Sequence, residues 1–275
     1  MPFVEVDGQQ LEYLLIPARR RNRPTLVFLH EGLGSVSLWR DFPASVAEAS
    51  GCRTMLWSRL GHGDSAPLAA ARTPRYLHEE ALHRLPPLLD ALAIERPLLV
   101  GHSDGASIAL IHAAAFPDRV AGLVVLAPHA FVEAKALAGI VHAGESYAGE
   151  ASGERRRKLA RHHRDADAVF AAWHDIWLAP EFRAWDIRDC LPAIRCPLLA
   201  VQGEDDEFAT MRQIECIAEA VSDSVVDRRA DVDLLKLADC RHSPHRDQPL
   251  AVRQAIVRFV DRLAAAGVGA LPGGR

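Results

Sequence analysis

The chain has 275 residues, 49% hydrophobic and 25% charged, a balance that excludes an intrinsically disordered, collagen-like or coiled-coil protein. The formal net charge is −4, from 32 basic and 36 acidic residues, so there is no broad basic field to hold nucleic acid. No run of about 18 apolar residues occurs, which excludes a spanning helix by pattern.

At about 150 residues per domain the length suggests roughly two domains, or one α/β unit with a large insertion. The start, Met1–Asp7, lacks the basic-then-apolar pattern of a secretory leader. The five cysteines are odd in number and form no Cys-x-x-Cys pair, so reduced thiols and a cytoplasmic location are expected.

In chain order, Val4–Ile16 places Asp7-Gly8 between apolar flanks, the signature of a hairpin. Thr25–His30, Thr54–Ser58, Pro97–Gly101, Gly122–Ala127 and Pro197–Val201 are short apolar runs, with Val232–Leu237 a weaker sixth. Continuous runs of this length suit strands buried on both faces of a parallel sheet. Helical patterns over Trp39–Ala49, Thr73–Leu92, Ala106–Phe116, Met211–Val221 and Pro249–Ala264 alternate with them. The alternation predicts an α/β fold with a mostly parallel, doubly wound sheet.

From 130 to 189 the alternation stops. That stretch holds three of the five tryptophans and the run Arg155-Arg156-Arg157-Lys158, expected to be a solvated helix face. It reads as a helical cap inserted into a core formed by 1–129 and 190–265, with 266–275 a Gly-rich, frayed tail. Phe170, Trp173 and Trp177 are spaced to share one helix face, against the core or along a substrate pocket.

The most informative stretch is Gly101-His102-Ser103-Asp104-Gly105, directly after an apolar strand and before a helix. A sharp strand-to-helix turn lifts the Ser103 hydroxyl out at the carboxyl edge of the sheet. It also sets the Asp104 N–H at a helix N-terminus, where an oxyanion can be bound. A serine hydroxyl needs a base held by a third group. Asp206, after the strand at 197–201, and His242, before the last helix, supply these in the order Ser, acid, His. Asp205 and His245 are the alternatives. His102, His30 and His62 are expected to pack or orient loops. His162-His163 lacks the further ligands of a metal site and reads as part of a solvated cap helix. No metal and no cofactor are expected.

These blocks resemble the α/β-hydrolase superfamily over almost the whole chain. His30-Glu31-Gly32-Leu33-Gly34-Ser35 is similar to its oxyanion loop, and Arg59-Leu60-Gly61-His62-Gly63-Asp64-Ser65 to its Arg-Gly-x-Gly-x-Ser turn. Asp206 lies three residues after Gly203, and His242 precedes Asp247 by five and Pro249 by seven, as the family spacing implies. Glu31 interrupts the usual His-Gly pair, which leaves Leu33 or Gly32 as the second oxyanion donor. Serine argues against dehalogenases and epoxide hydrolases of this fold, whose pattern has aspartate there.

The resemblance implies hydrolysis of a small-molecule carboxylic ester or related acyl bond through an acyl-enzyme. The same triad could serve a thioesterase, lactonase, C–C bond hydrolase or aminopeptidase. In another class, the fold could serve as a small-molecule receptor that does not turn over. Asp104, His30, Trp173 and Trp177 are candidates for substrate contact, with the Asp104 carboxylate suited to a cationic acyl group. No nucleic-acid or membrane partner is expected.

Overall fold

A computed structural model of the chain describes residues 1–149, 152–222 and 230–267. Eight strands among them form one sheet in the order β1-β2-β4-β3-β5-β6-β7-β8. They are β1 (Phe3–Val6), β2 (Gln9–Ile16), β3 (Leu26–Leu29), β4 (Thr54–Trp57), β5 (Leu98–His102), β6 (Gly122–Leu126), β7 (Leu198–Gly203) and β8 (Val232–Leu237). The first two make the hairpin, with Asp7 and Gly8 both at positive φ (49° and 74°), as a tight two-residue turn requires. β2 pairs antiparallel with β4, and from β4 to β8 every pairing is parallel. β3, β4, β5, β6 and β7 are buried along their whole length, which is why they are continuous apolar runs. β8 closes the edge and is mostly half-buried, so its apolar signal is weaker.

Period-2 alternation sends side chains to two packing layers. Leu26 and Phe28 face a layer with Trp39, α1 (Phe42–Ser50) and α10 (Pro249–Ala265). Val27 and Leu29 face the opposite layer. There lie α2 (Tyr76–Glu79), α3 (Leu85–Ala91), α4 (Asp104–Ala115) and α8 (Arg212–Ser222). The helix expected over 73–92 is interrupted by a π-helical turn at Glu80–Arg84. Pro86 and Pro87 lack N–H groups and cannot close the regular ladder, so the turn before them widens.

Between β6 and β7 the chain leaves the sheet as α5 (Ala134–Ala148), α6 (Ser152–Ala160) and α7 (Ala166–Leu178). An antiparallel bridge between Phe131 and Asp186 joins the two ends of this excursion. The Asp165 side chain caps α7 by accepting from the Ala168 N–H at 2.9 Å. The buried face of α7 carries Val169, Trp173, Ile176 and Trp177. Phe170 sits on its flank and stacks on Tyr147 of α5, with centroids 3.8 Å apart. A short helix, α9 (Pro244–Asp247), precedes α10. The tail expected over 266–275 lies outside the described residues beyond Gly267.

Candidate active site

Ser103 sits between β5 and α4 with φ 52° and ψ −116°. A non-glycine residue in this region is strained, and the strain is held by close backbone packing on both sides. A Cβ at Gly101 would lie 2.3 Å from the Gly105 carbonyl oxygen, and one at Gly105 would lie 2.1 Å from that of Leu29. Only glycine allows β3, β5 and α4 to meet so closely. Ser103 is 7% exposed, so its hydroxyl lies beneath the surface.

The Ser103 hydroxyl donates to His242 Nε2 at 3.0 Å. His242 Nδ1–H donates to Asp206, 2.8 and 2.9 Å from its two carboxylate oxygens. The Asp206 carboxylate also accepts from the Phe208 and Ala209 N–H groups at 2.7 and 3.1 Å, and from the Gln202 amide. Burial raises the Asp206 pKa, but the charge and hydrogen bond of His242 and the Phe208 N–H outweigh it, so the net shift is downward. Burial alone would lower the His242 pKa, and attraction to Asp206 reverses that into a net rise.

Asp205 is exposed and directs its backbone N–H to the Cys240 carbonyl, away from this chain of bonds. His245 is buried against Trp39, with centroids 4.8 Å apart, and burial holds its pKa well below the ordinary value. The structure therefore brings together Ser103, Asp206 and His242 and leaves both alternatives outside. His102 Nε2–H donates to the His242 carbonyl at 2.8 Å, tying the histidine loop to β5.

The Asp104 N–H opens α4, and Gly32 and Leu33 follow β3. None of these three N–H groups is engaged in a hydrogen bond among the described residues. Gly32 has Trp173 directly over it: a Cβ there would lie 2.2 Å from the indole. The Leu33 carbonyl is held by the excursion. The Gly63 N–H donates to His163 Nδ1 at 2.9 Å, which leaves Nε2–H to donate to the Leu33 carbonyl at 2.9 Å. His163 is thus buried and bridging, not solvated as its polar neighbours suggest. His162 meets the Ser37 hydroxyl at 2.8 Å.

Two expectations about substrate contact differ from the structure. The Asp104 side chain is 0% exposed, accepts from Tyr76 Oη at 2.9 Å and pairs with Arg59 at 3.4 Å. Its carboxylate neutralises a buried guanidinium and is closed off from solvent. The Arg59 N–H donates to His30 Nε2 at 3.0 Å, and His30 Nδ1–H donates to the Glu31 carbonyl at 2.7 Å. Both His30 nitrogens are therefore committed to backbone, and burial keeps the ring neutral. Trp177 is buried and donates from Nε1 to Tyr76 Oη at 2.9 Å, joining α7 to this network. Trp173 lies against Gly32, in the loop after β3.

Sequence reasoning passed over His129 and Phe208. Their rings lie 5.7 and 4.8 Å from that of His242, centroid to centroid. Burial, then the nearby His242, push the His129 pKa down to about 4, so it is neutral. The available signal was position: His129 follows β6 at the carboxyl edge of the sheet, and Phe208 follows the acid. Among the described residues no His/Cys/Asp/Glu group could hold a metal ion.

Residues 24–189 match the family model described as the alpha/beta hydrolase fold. The chain is 28% identical over 126 residues to a proline iminopeptidase of Lactobacillus helveticus, covering 46% of this chain and 41% of that protein. It is 33% identical over 178 residues to a 2-succinyl-6-hydroxy-2,4-cyclohexadiene-1-carboxylate synthase of Enterobacter sp., covering 62% and 60% respectively. The first of these matches thus spans less than half of the relative's length. The crystal structure of an enol-lactonase from Burkholderia xenovorans LB400 superposes with a TM-score of 0.71 at 22% identity, covering 94% of this chain and 100% of that one. With the family model spanning more than half its length, the chain belongs to the α/β-hydrolase fold family.

Proposed function

We propose that the protein is a serine hydrolase that cleaves a carboxylic ester, or a related acyl bond, of a small molecule. The observation that carries this reading is the unbroken hydrogen-bond chain from Ser103 through His242 to Asp206. Neutral His242 takes the Ser103 proton as Oγ attacks the carbonyl carbon. The imidazolium that forms is stabilised by Asp206, whose backbone donors keep it ionised. The Asp104 N–H, with that of Leu33 or Gly32, faces the developing oxyanion, a contribution of about 3–4 kcal/mol per well-placed donor. His242 passes its proton to the leaving group, and water then releases the acyl group by the same relay.

The wall around His242 favours an apolar acyl portion, since Phe208, Trp173 and neutral His129 line up there. Asp104 contributes no charge selection, because Arg59 neutralises it.

Ser103→Ala is expected to lower 4-nitrophenyl butyrate turnover by on the order of 10⁴-fold or more and to abolish labelling by a fluorophosphonate. Its melting temperature stays near that of the wild type, because the Cβ is retained. Near-normal turnover in that variant overturns the reading.

A further inference from the structure

A cavity of about 570 Å³ lies between the excursion and the core. Neither Ser103 nor His242 is in its wall, and it meets the active site at Leu33, in the oxyanion loop. Five cationic side chains line it: Arg40, Arg155, Lys158, Arg161 and Arg246. No acidic side chain is in the wall among the described residues. Lys158 pairs with Glu154 at 2.6 Å, and Arg246 lies 3.9 Å from Glu31. Arg40, Arg155 and Arg161 pair with no carboxylate among the described residues. In the same basic run, Arg156 pairs with Asp167, which also accepts from the Tyr147 hydroxyl. The run is solvent-exposed throughout, and two of its members, Arg155 and Lys158, a helical turn apart, also line the cavity with Leu159.

Like charges gathered around one concavity repel one another unless an anion joins them. Three guanidiniums converge on His162 as well: burial first, then Arg40, Arg246 and Arg161, lower its pKa. The remaining wall is mostly apolar, from Leu33, Leu38, Ala143, Leu159 and Phe170, with Tyr147, whose hydroxyl donates to Asp167 at 2.7 Å. The volume falls within the range of about 300–1,000 Å³ usual for small-molecule sites.

We propose that this cavity binds a phosphate carried by the substrate on an apolar or aromatic body. A phosphate offers several strong acceptor oxygens that separate guanidiniums can share, which a single carboxylate cannot do as fully. Its place beside Leu33 sets the phosphate to one side of the scissile bond. The catalytic consequence rests on the acyl-hydrolase reading above; the binding itself does not.

The test uses the full chain and the double variant Arg155→Gln/Arg161→Gln. In calorimetry, phenyl phosphate binds the wild type and binds the variant at least about tenfold more weakly, while phenol shows no such difference. Binding of phenyl phosphate that is absent, or equal in the two proteins, overturns the proposal. Phosphatidylcholine vesicles doped with phosphatidic acid separate the sources. Sedimentation with them, lost in the variant, assigns a lipid headgroup; phenyl phosphate binding without sedimentation assigns a soluble phosphoester. In turnover, the ratio of kcat/KM for 4-(phosphonooxy)phenyl butyrate over phenyl butyrate falls at least about tenfold in the variant. If neither ester is hydrolysed by the wild type, the hydrolase reading fails while the binding result still decides the site.

Discussion

At the residue scale, the proposed mechanism needs His242 neutral, so that it can accept the Ser103 proton. Its pKa is raised above the ordinary 6.5 because Asp206 favours the imidazolium more than burial disfavours it. The active fraction is therefore complete at alkaline pH and is lost as pH falls through the raised value. The acid limb of kcat/KM is expected above pH 6.5. Asp206→Asn removes the attraction and leaves burial, so the limb moves to lower pH while kcat falls by on the order of 10⁴-fold, since the tautomer is no longer fixed. A limb that stays in place in Asp206→Asn counts against this account of the pair. The same comparison separates Asp206 from Asp205, whose side chain is exposed and makes no hydrogen bond to His242. Asp104 shows how a site residue divides its labour. Its backbone N–H opens α4, where the proposed mechanism uses it, while its carboxylate sits with Arg59 and Tyr76 in the core.

At the element scale, the excursion is bonded to the loop after β3, which the proposed mechanism uses to hold the oxyanion. His163 joins the Gly63 N–H to the Leu33 carbonyl, and Trp173 covers Gly32. His163→Ala releases Leu33 and is expected to lower kcat by on the order of tenfold, because small misplacements of a donor are costly. The acid limb is unmoved, since His242 is untouched. His163→Gln, able to accept and donate at once, restores part of the loss. Full activity in the alanine variant would show that the loop holds itself. Such cross-element bonds explain what the sequence could and could not reveal. β3, β5, β6 and the glycines at 101 and 105 were legible because burial on both faces and backbone contact leave few residue choices. The order of Ser103, Asp206 and His242 was legible for the same reason: each follows or precedes a recognisable element. His163 was not, because nothing in its polar neighbours shows that it folds back on residues 100 positions earlier. His129 and Phe208 carry no motif, and their role follows only from which strand ends lie side by side. The run Arg155–Lys158 is exposed, as its charge suggests; that Arg155 and Lys158 also border a cavity was hidden, since a charge run does not show what lies beside it.

At the scale of the whole molecule, charge is unevenly placed. The chain carries a net −4, yet five cations surround one cavity beside Leu33. An anionic substrate is repelled by the average field and attracted by the local one, so the range of each field decides its behaviour. The screening length is about 10 Å at 0.1 M salt and about 3 Å at 1 M. Added salt weakens attraction to the exposed guanidiniums Arg40, Arg155 and Arg161 and leaves the buried Asp206–His242 pair largely unscreened. The kcat/KM for 4-(phosphonooxy)phenyl butyrate should therefore fall by on the order of tenfold as salt rises between these limits. Neutral phenyl butyrate should change little over the same range. Parallel salt dependence for the two esters would place the effect on the fold or the triad and remove the cavity from substrate selection. A fall confined to the phosphorylated ester, expressed in KM with kcat retained, is the result that a binding subsite beside the chemistry requires.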